Sequence, residues 1–255
     1  MRCWRTWRFP PEKFQISNER LVRSPVTRVL EDRLNALQRI YDIYDEVLAS
    51  RELACHRGCD ACCTANVTLT TLEALGIVAG LGDAAEAVLA SLAAAPDPRR
   101  FRPRTGINSI AAMALDGEAL PEEEADPAAG PCPLLHNRCC PIYPLRPFAC
   151  RCMVSTRPCG AVGYATIDDF LITVNTVFQQ VIEDLDAAGA TGNLSDLLPL
   201  LGRPDFKEAY GRGQLDPVPM NLASNRRMPA LMVPPEQRER MAPIIERLRQ
   251  IKRSS

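Results

Sequence analysis

The run Cys55-His-Arg-Gly-Cys59-Asp-Ala-Cys62-Cys63 opens the part of the chain that decides its fold, and Cys132-Pro-Leu-Leu-His-Asn-Arg-Cys139-Cys140-Pro-Ile-Tyr-Pro-Leu-Arg-Pro-Phe-Ala-Cys150-Arg-Cys152 completes it. With Cys159, the two groups hold all but one of the 11 cysteines. Close spacing lets one loop present several sulfurs to a metal at little extra loop-closure cost. Gly58 permits a sharp turn between the first two sulfurs. Thiolates are soft ligands that suit zinc or iron–sulfur clusters.

These cysteines exceed the four that one tetrahedral zinc needs. We expect the adjacent pairs 62–63 and 139–140 to point apart, which indicates two metals or one cluster with spare thiols. Buried free cysteines are the main alternative, since cysteine packs as a small hydrophobe. Disulfides are less favoured, because the count is odd and no apolar signal segment follows the basic amino terminus. We therefore expect a cytoplasmic, reducing location.

Residues 131–160 contain six prolines among six cysteines. Proline lacks a backbone donor and fixes φ, so this segment cannot form a long helix or a central strand. We predict a compact, irregular segment that metal ligands hold together.

Two strongly amphipathic helices are predicted to flank the cysteine groups, over about 26–50 and about 167–187. A capping box, Thr70-Thr-Leu-Glu73, predicts a helix over about 71–81. Thr166 is expected to begin the helix at 167. Further helices are predicted near 83–95, 107–115, 194–201, 204–211 and 234–252, and no strand pattern is convincing. The predicted fold class is mostly α, a helical domain with an irregular, metal-stapled, cysteine-rich core.

Three regions divide the chain in this interpretation. Residues 1–24 form an irregular basic arm, 25–212 form the cysteine-cluster domain, and 213–255 form an extension with a basic helix. A mobile, exposed insertion is expected over about 96–130. The arm interleaves tryptophans with arginines, but docking on its own domain is favoured over nucleic acid.

Composition restricts the partners. A net charge of −1 excludes a polyanion binder on bulk charge. The longest apolar stretch, Leu69 to Ala95, is interrupted by charged residues, so no membrane span is expected. The expected partner is a metal ion.

The cysteine motifs resemble the YkgJ-type cysteine-cluster family, described as a zinc- or iron-chelating domain. The family pattern is C-x2–3-C-x2-C-C, then C-P-x-L, then C-x-I-Y-x2-R-P-x2-C-R. The matching stretches are Cys55 to Cys63, Cys132 to Leu135 and Cys140 to Arg151. The resemblance covers about 52–163, and Cys159 loosely resembles a further family cysteine. Cys3, Cys139 and Cys152 have no clear family counterpart.

The residues and the resemblance together imply a metal-binding protein that holds zinc or an iron–sulfur cluster. The implied ligands are Cys55, Cys59, Cys62, Cys63, Cys132, Cys140, Cys150 and Cys159. The same domain occurs in flagellin lysine N-methylases, which use S-adenosylmethionine. The alternative is therefore an enzyme that modifies a protein or peptide side chain, although the chain lacks a glycine-rich nucleotide loop.

Charged and ring residues among the cysteines have two interpretations. Arg146 and Arg151 flank Cys150, where a guanidinium would offset thiolate charge or form a structural contact. His56 and His136 are the only histidines. We interpret each as a solvated loop residue rather than a ligand, because enough sulfur is present, and Tyr143 as a packing residue.

Overall fold

The computed structural model describes residues 25–56, 58–94 and 97–253 of the chain. The fold is mostly α-helical with one small sheet. The strands are β1 (Thr68–Thr70), β2 (Ala190–Asn193) and β3 (Leu222–Ser224). The helices are α1 (Pro25–Ala49), α2 (Thr71–Leu81), α3 (Ala85–Ala94), α4 (Ile107–Asp116), α5 (Phe148–Arg151), α6 (Cys159–Val162), α7 (Asp169–Leu185), α8 (Leu194–Leu201), α9 (Pro204–Gly211) and α10 (Arg238–Arg253). Every predicted helix is present, with bounds shifted by at most a few residues.

Helices α1 and α7 run antiparallel and form the centre of the core. Near the start of α1, Arg33 donates to the carbonyl of Leu185 at 2.8 Å. Midway, the ring of Tyr44 meets that of Phe178 edge-on, with centroids 5.1 Å apart. The amphipathic stripes that predicted both helices are the faces that pack here. The end of α1 and the start of α7 therefore lie together, next to the cysteine groups.

The helix starts follow side-chain capping. Thr70 and Glu73 form the predicted capping box, which begins α2. The predicted start of α7 at Thr166 is wrong, because the Asp168 carboxylate accepts the Leu171 amide at 2.8 Å and serves as the N-cap. Aspartate is as good an N-cap as threonine, and it lies two residues closer to the apolar stripe.

The small sheet was not expected from the sequence. Strands β1 and β3 both pair antiparallel with β2, which lies between them. Each strand has only three or four residues, which is too short for an alternating pattern to stand out. The sheet ties the segment after the first cysteine group to the chain beyond α7.

One stretch, Thr71–Ala94, is long and apolar enough to cross a membrane by length and composition alone. In the fold it is two helices, α2 and α3, separated by a 3-10 turn at Gly82–Ala84, and both pack against α8. This arrangement is consistent with the expected absence of a membrane span.

The segment expected as an exposed insertion, about 96–130, has mostly exposed residues over 114–128 but contains buried polar residues before that stretch. The guanidinium of Arg100 is buried against Asp196, with Nε 3.0 Å from Oδ2. Asn108, fully buried in α4, donates to the carbonyl of Gln180 at 3.0 Å. Arginine and asparagine usually lie at the surface of a protein. They can be buried here because their hydrogen bonds offset the cost of removing polar groups from water.

The predicted extension, 213–255, joins the main core. Its strand β3 completes the sheet, and its helix α10 packs on α1. Met241, Leu248 and Ile251 of α10 are buried in that contact. The predicted basic arm, 1–24, lies outside the described residues.

Candidate metal centre

The first cysteine group is built from consecutive turns. The Cys59 amide donates to the carbonyl of His56 at 3.0 Å, and the Cys63 amide donates to that of Asp60 at 2.9 Å. Gly58 has φ of +85°, a conformation that favours glycine, as its place between the first two sulfurs predicted. Each turn ends on a cysteine, so the backbone delivers sulfurs at short intervals.

The second cysteine group is also built from hydrogen-bonded turns, which here begin at cysteines. The Leu135 amide donates to the carbonyl of Cys132 at 2.9 Å, and the Tyr143 amide to that of Cys140 at 3.2 Å. Between these turns, His136 and Cys139 pair as a tight hairpin. Apart from isolated β-bridges, residues 131–160 contain only turns and helices of three or four residues, so the prediction of an irregular segment is confirmed.

Backbone contacts bring the two groups together. The Cys132 amide donates to the carbonyl of Cys63 at 2.9 Å, next to a β-bridge between Thr64 and Pro131. Across the same junction, Arg138 forms an ion pair with Asp60 at 3.3 Å. The groups are therefore adjacent, although almost 70 residues separate them in the sequence.

A buried glutamate sets the position of Cys150. The Glu73 Oε1 atom accepts the Phe148 amide at 2.7 Å, which fixes the first residue of α5, the short helix that carries Cys150. The same oxygen accepts the Tyr41 hydroxyl at 2.7 Å. The sequence predicted only the capping role of Glu73, because its other contacts join distant parts of the chain.

One cavity of about 430 Å³ lies between the two groups. Seven of the eight candidate ligands line it: Cys55, Cys59, Cys62, Cys63, Cys132, Cys140 and Cys150. Cys159 does not line the cavity. Apolar side chains form much of the remaining wall, among them Leu48, Leu53 and Val67.

All eight candidate ligands, together with Cys152, carry free thiols. Burial raises the pKa of Cys132, whereas the Leu134 and Leu135 amides donate to its sulfur and oppose that rise. Burial likewise raises the pKa of Cys140 to about 11, opposed by the Ile142 amide. Amides aimed at sulfur favour the thiolate, the form that binds metals.

The side chains of Cys62 and Cys63 contact each other, contrary to the expectation that adjacent thiols point apart. Their thiols are hydrogen-bonded, and this bond raises the pKa of Cys62 while it lowers the pKa of Cys63. Both sulfurs lie on the wall of the cavity.

The two arginines beside Cys150 have different environments. Arg151 is buried, donates to the carbonyl of Arg146 at 3.0 Å and forms an ion pair with Asp45 at 3.2 Å. Arg146 lines the cavity, and its guanidinium lies 4.1 Å from the centre of the Tyr143 ring. No carboxylate of the described residues forms an ion pair with Arg146.

The other residues singled out in the sequence lie at the margin. His56 and His136 are both exposed, as their interpretation as loop residues requires, and His56 lines the cavity. Cys152 is half-buried and does not line the cavity. Cys139 lies in the hairpin, and Cys3 lies outside the described residues.

Within the described residues, no three His, Cys, Asp or Glu side chains are already spaced to hold one metal ion. Comparison of the chain with family models, curated proteins and solved structures finds no match. The resemblance to the YkgJ-type family therefore stays an expectation based on the cysteine motifs.

Proposed function

We propose that the protein is a cytoplasmic metal-binding protein that holds zinc or an iron–sulfur cluster through clustered thiolates. The observation that carries the proposal is that seven of the eight candidate thiols line one cavity. Scattered buried cysteines would not converge in this way from two distant parts of the sequence.

The donor set fits a soft metal by its chemistry. The cavity offers thiols, amides that donate to sulfur, and a guanidinium without a carboxylate partner among the described residues. Rotation of a cysteine side chain between staggered wells moves its sulfur by about 3 Å. Metal binding would draw the thiols together in this way and would release their protons.

A metal bound by residues 131–160 would have a structural role, because it would order this segment. This segment has few backbone ladders, and turns supply most of its hydrogen bonds. A metal bound by Cys132, Cys140 and Cys150 and by thiols of the first cysteine group would join this segment to that group. Binding free energy would then contribute to folding, as in small metal-dependent domains.

An enzyme that modifies a protein or peptide side chain, similar to a lysine N-methylase, is the second candidate. The observation that favours it is the cavity volume of about 430 Å³, which lies within the range of small-molecule sites. A purely structural zinc site is closed by its ligands. Anaerobic calorimetry with S-adenosylmethionine tests this candidate, and absence of binding to the metal-loaded protein would contradict the methyltransferase form.

Anaerobic purification followed by elemental analysis and a visible spectrum tests the main proposal. We expect zinc, or iron with the absorption of a cluster, in the wild-type protein. Cys150→Ser should lower the metal content by at least half, because a hydroxyl seldom replaces a thiolate on a soft metal. Cys152→Ala is the matched control, since Cys152 is close in sequence but does not line the cavity. Equal metal content in all three proteins would contradict the proposal.

A further inference from the structure

We propose that the protein binds a short aliphatic amine in a second cavity, lined by Glu73, Glu123 and Glu183. This cavity has a volume of about 270 Å³, and residues of β1, α2, α4, α5 and α7 form its wall. It shares only Ala149, in α5, with the cavity between the two cysteine groups. The inference therefore concerns a separate site and does not rest on the proposed metal centre.

The wall of this second cavity is acidic. Glu73 lies in α2, Glu123 in the loop after α4 and Glu183 in α7, and no basic residue of the described part of the chain lines the cavity. None of the three carboxylates forms an ion pair with a basic side chain of the described residues. A concave wall that carries one sign of charge attracts ions of the opposite sign.

Backbone amides hold two of the carboxylates in place. Glu183 accepts the Asn108 amide at 3.3 Å and the Arg226 amide at 3.2 Å. Glu73 accepts the amides that begin α2 and α5. Burial raises the pKa of Glu183, while these amides and the charge of Arg226, which lies outside the cavity, oppose that rise. Neutral donors stabilise a carboxylate but leave its negative charge available to a ligand.

Glu123 supplies the observation that points to a ligand. Its Oε2 atom accepts the Arg104 amide at 2.8 Å, whereas its Oε1 atom is buried and has no hydrogen-bond donor among the described residues. The Arg104 guanidinium donates instead to the carbonyl of Glu122, at 3.3 Å. A buried carboxylate oxygen without a donor is costly. An ammonium group has three N–H donors and would satisfy this oxygen.

The rest of the wall favours an organic cation over a metal ion. Within the described residues, no three carboxylates are spaced to hold one metal ion. Leu69, Ile110 and Ile182 supply apolar surface, and Phe101 and Phe148 supply aromatic rings, which attract cations. An aliphatic amine would place its methylene groups on the apolar surface and its ammonium group at the carboxylates. The volume lies just below the usual range for drug-sized ligands, which limits the amine to a short one.

Calorimetric titration of the full chain with putrescine, a four-carbon diamine, tests the inference. A salt concentration of about 0.15 M screens weak pairing of the diamine with exposed carboxylates. Putrescine should bind at a single site. Butanediol, the neutral molecule of the same length, should not bind, because it lacks the charge that the carboxylates attract.

Glu123→Gln should weaken putrescine binding about tenfold, because it removes one negative charge from the wall. The glutamine oxygen can still accept the Arg104 amide, so the loop should keep its conformation. Glu124→Gln is the matched control and should bind putrescine as the wild-type protein does, since Glu124 is exposed and does not line the cavity.

The comparison of putrescine with butanediol uses the wild-type protein, so it keeps the test valid if Glu123→Gln fails to fold. Absence of putrescine binding, or equal affinity in the wild-type protein and a folded Glu123→Gln, would overturn the inference. Binding of magnesium chloride that depends on Glu123 and excludes putrescine would identify a metal site and would also overturn it. These outcomes leave the metal content of the cysteine groups, and hence the proposed function, to its own test.

Discussion

Arg146 is the residue whose positive charge would most directly offset the negative charge of a metal–thiolate centre in the cavity. Arg151, five residues later in the chain, forms an ion pair with Asp45 and donates hydrogen bonds to two backbone carbonyls. Its guanidinium also stacks on the ring of Tyr41. Both arginines line the cavity, but Arg146 forms no ion pair with a carboxylate of the described residues, and its charge lowers the pKa of the Cys62 and Cys140 thiols. The two arginines were equivalent in sequence, and only their packing separates a structural role from an electrostatic one.

Arg146→Gln should weaken zinc binding about tenfold, because four thiolates leave a divalent ion with a net negative charge that Arg146 offsets. Competition with a chelator of known affinity measures the effect. Arg146→Lys should bind zinc nearly as well as the wild-type protein, since it keeps the positive charge. Arg138→Gln is the control on an exposed arginine paired with Asp60. Equal affinity in Arg146→Gln and wild type would show that this charge does not act on the metal.

At the scale of elements, Glu73 joins three helices at the base of the site. Its carboxylate accepts the Tyr41 hydroxyl from α1, the Thr70 amide at the start of α2 and the Phe148 amide at the start of α5. The capping motif predicted the local bond, because Thr70 and Glu73 are three residues apart. The other two bonds span 32 and 75 residues, and no local pattern indicates them.

Glu73→Gln should lower the free energy of unfolding by about 1–3 kcal/mol, the usual cost of an unsatisfied buried polar group. The amide can accept through one atom only, so its NH2 group must face either the Thr70 amide or the other two donors. Chemical denaturation measures the change. Glu86→Gln on the exposed face of α3 is the control and should change the stability by less than about 0.5 kcal/mol. A similar small change in both variants would refute the linking role of Glu73.

Across the whole molecule, elements far apart in the chain complete one core. Helix α10 packs on α1, strand β3 completes a sheet with β1 and β2, and α4 packs on α7. The long amphipathic helices were predictable because one apolar face repeats over many residues. The sheet and the burial of Arg100 and Asn108 were not, because short strands and buried polar side chains depend on partners that a local pattern does not identify.

The candidate site shows the same division between local and distant information. The cysteine motifs and their resemblance to the YkgJ-type family selected eight cysteines, and the fold places seven of them around one cavity. The backbone hydrogen bond between Cys132 and Cys63 and the support from Glu73 required the three-dimensional arrangement. Local sequence therefore supplies the candidate donors, and the fold determines which of them lie around one cavity.

X-ray absorption spectroscopy at the metal edge of the anaerobically purified full chain tests the central claim most directly. For zinc, we expect a shell of sulfur atoms at about 2.3 Å, the distance of a zinc–thiolate bond. This shell should lose sulfur in Cys150→Ser and should be unchanged in Cys152→Ala. A shell of nitrogen and oxygen atoms alone at about 2.0–2.1 Å, or a protein without bound metal whose thiols all react freely, would contradict metal binding by the cysteine cavity.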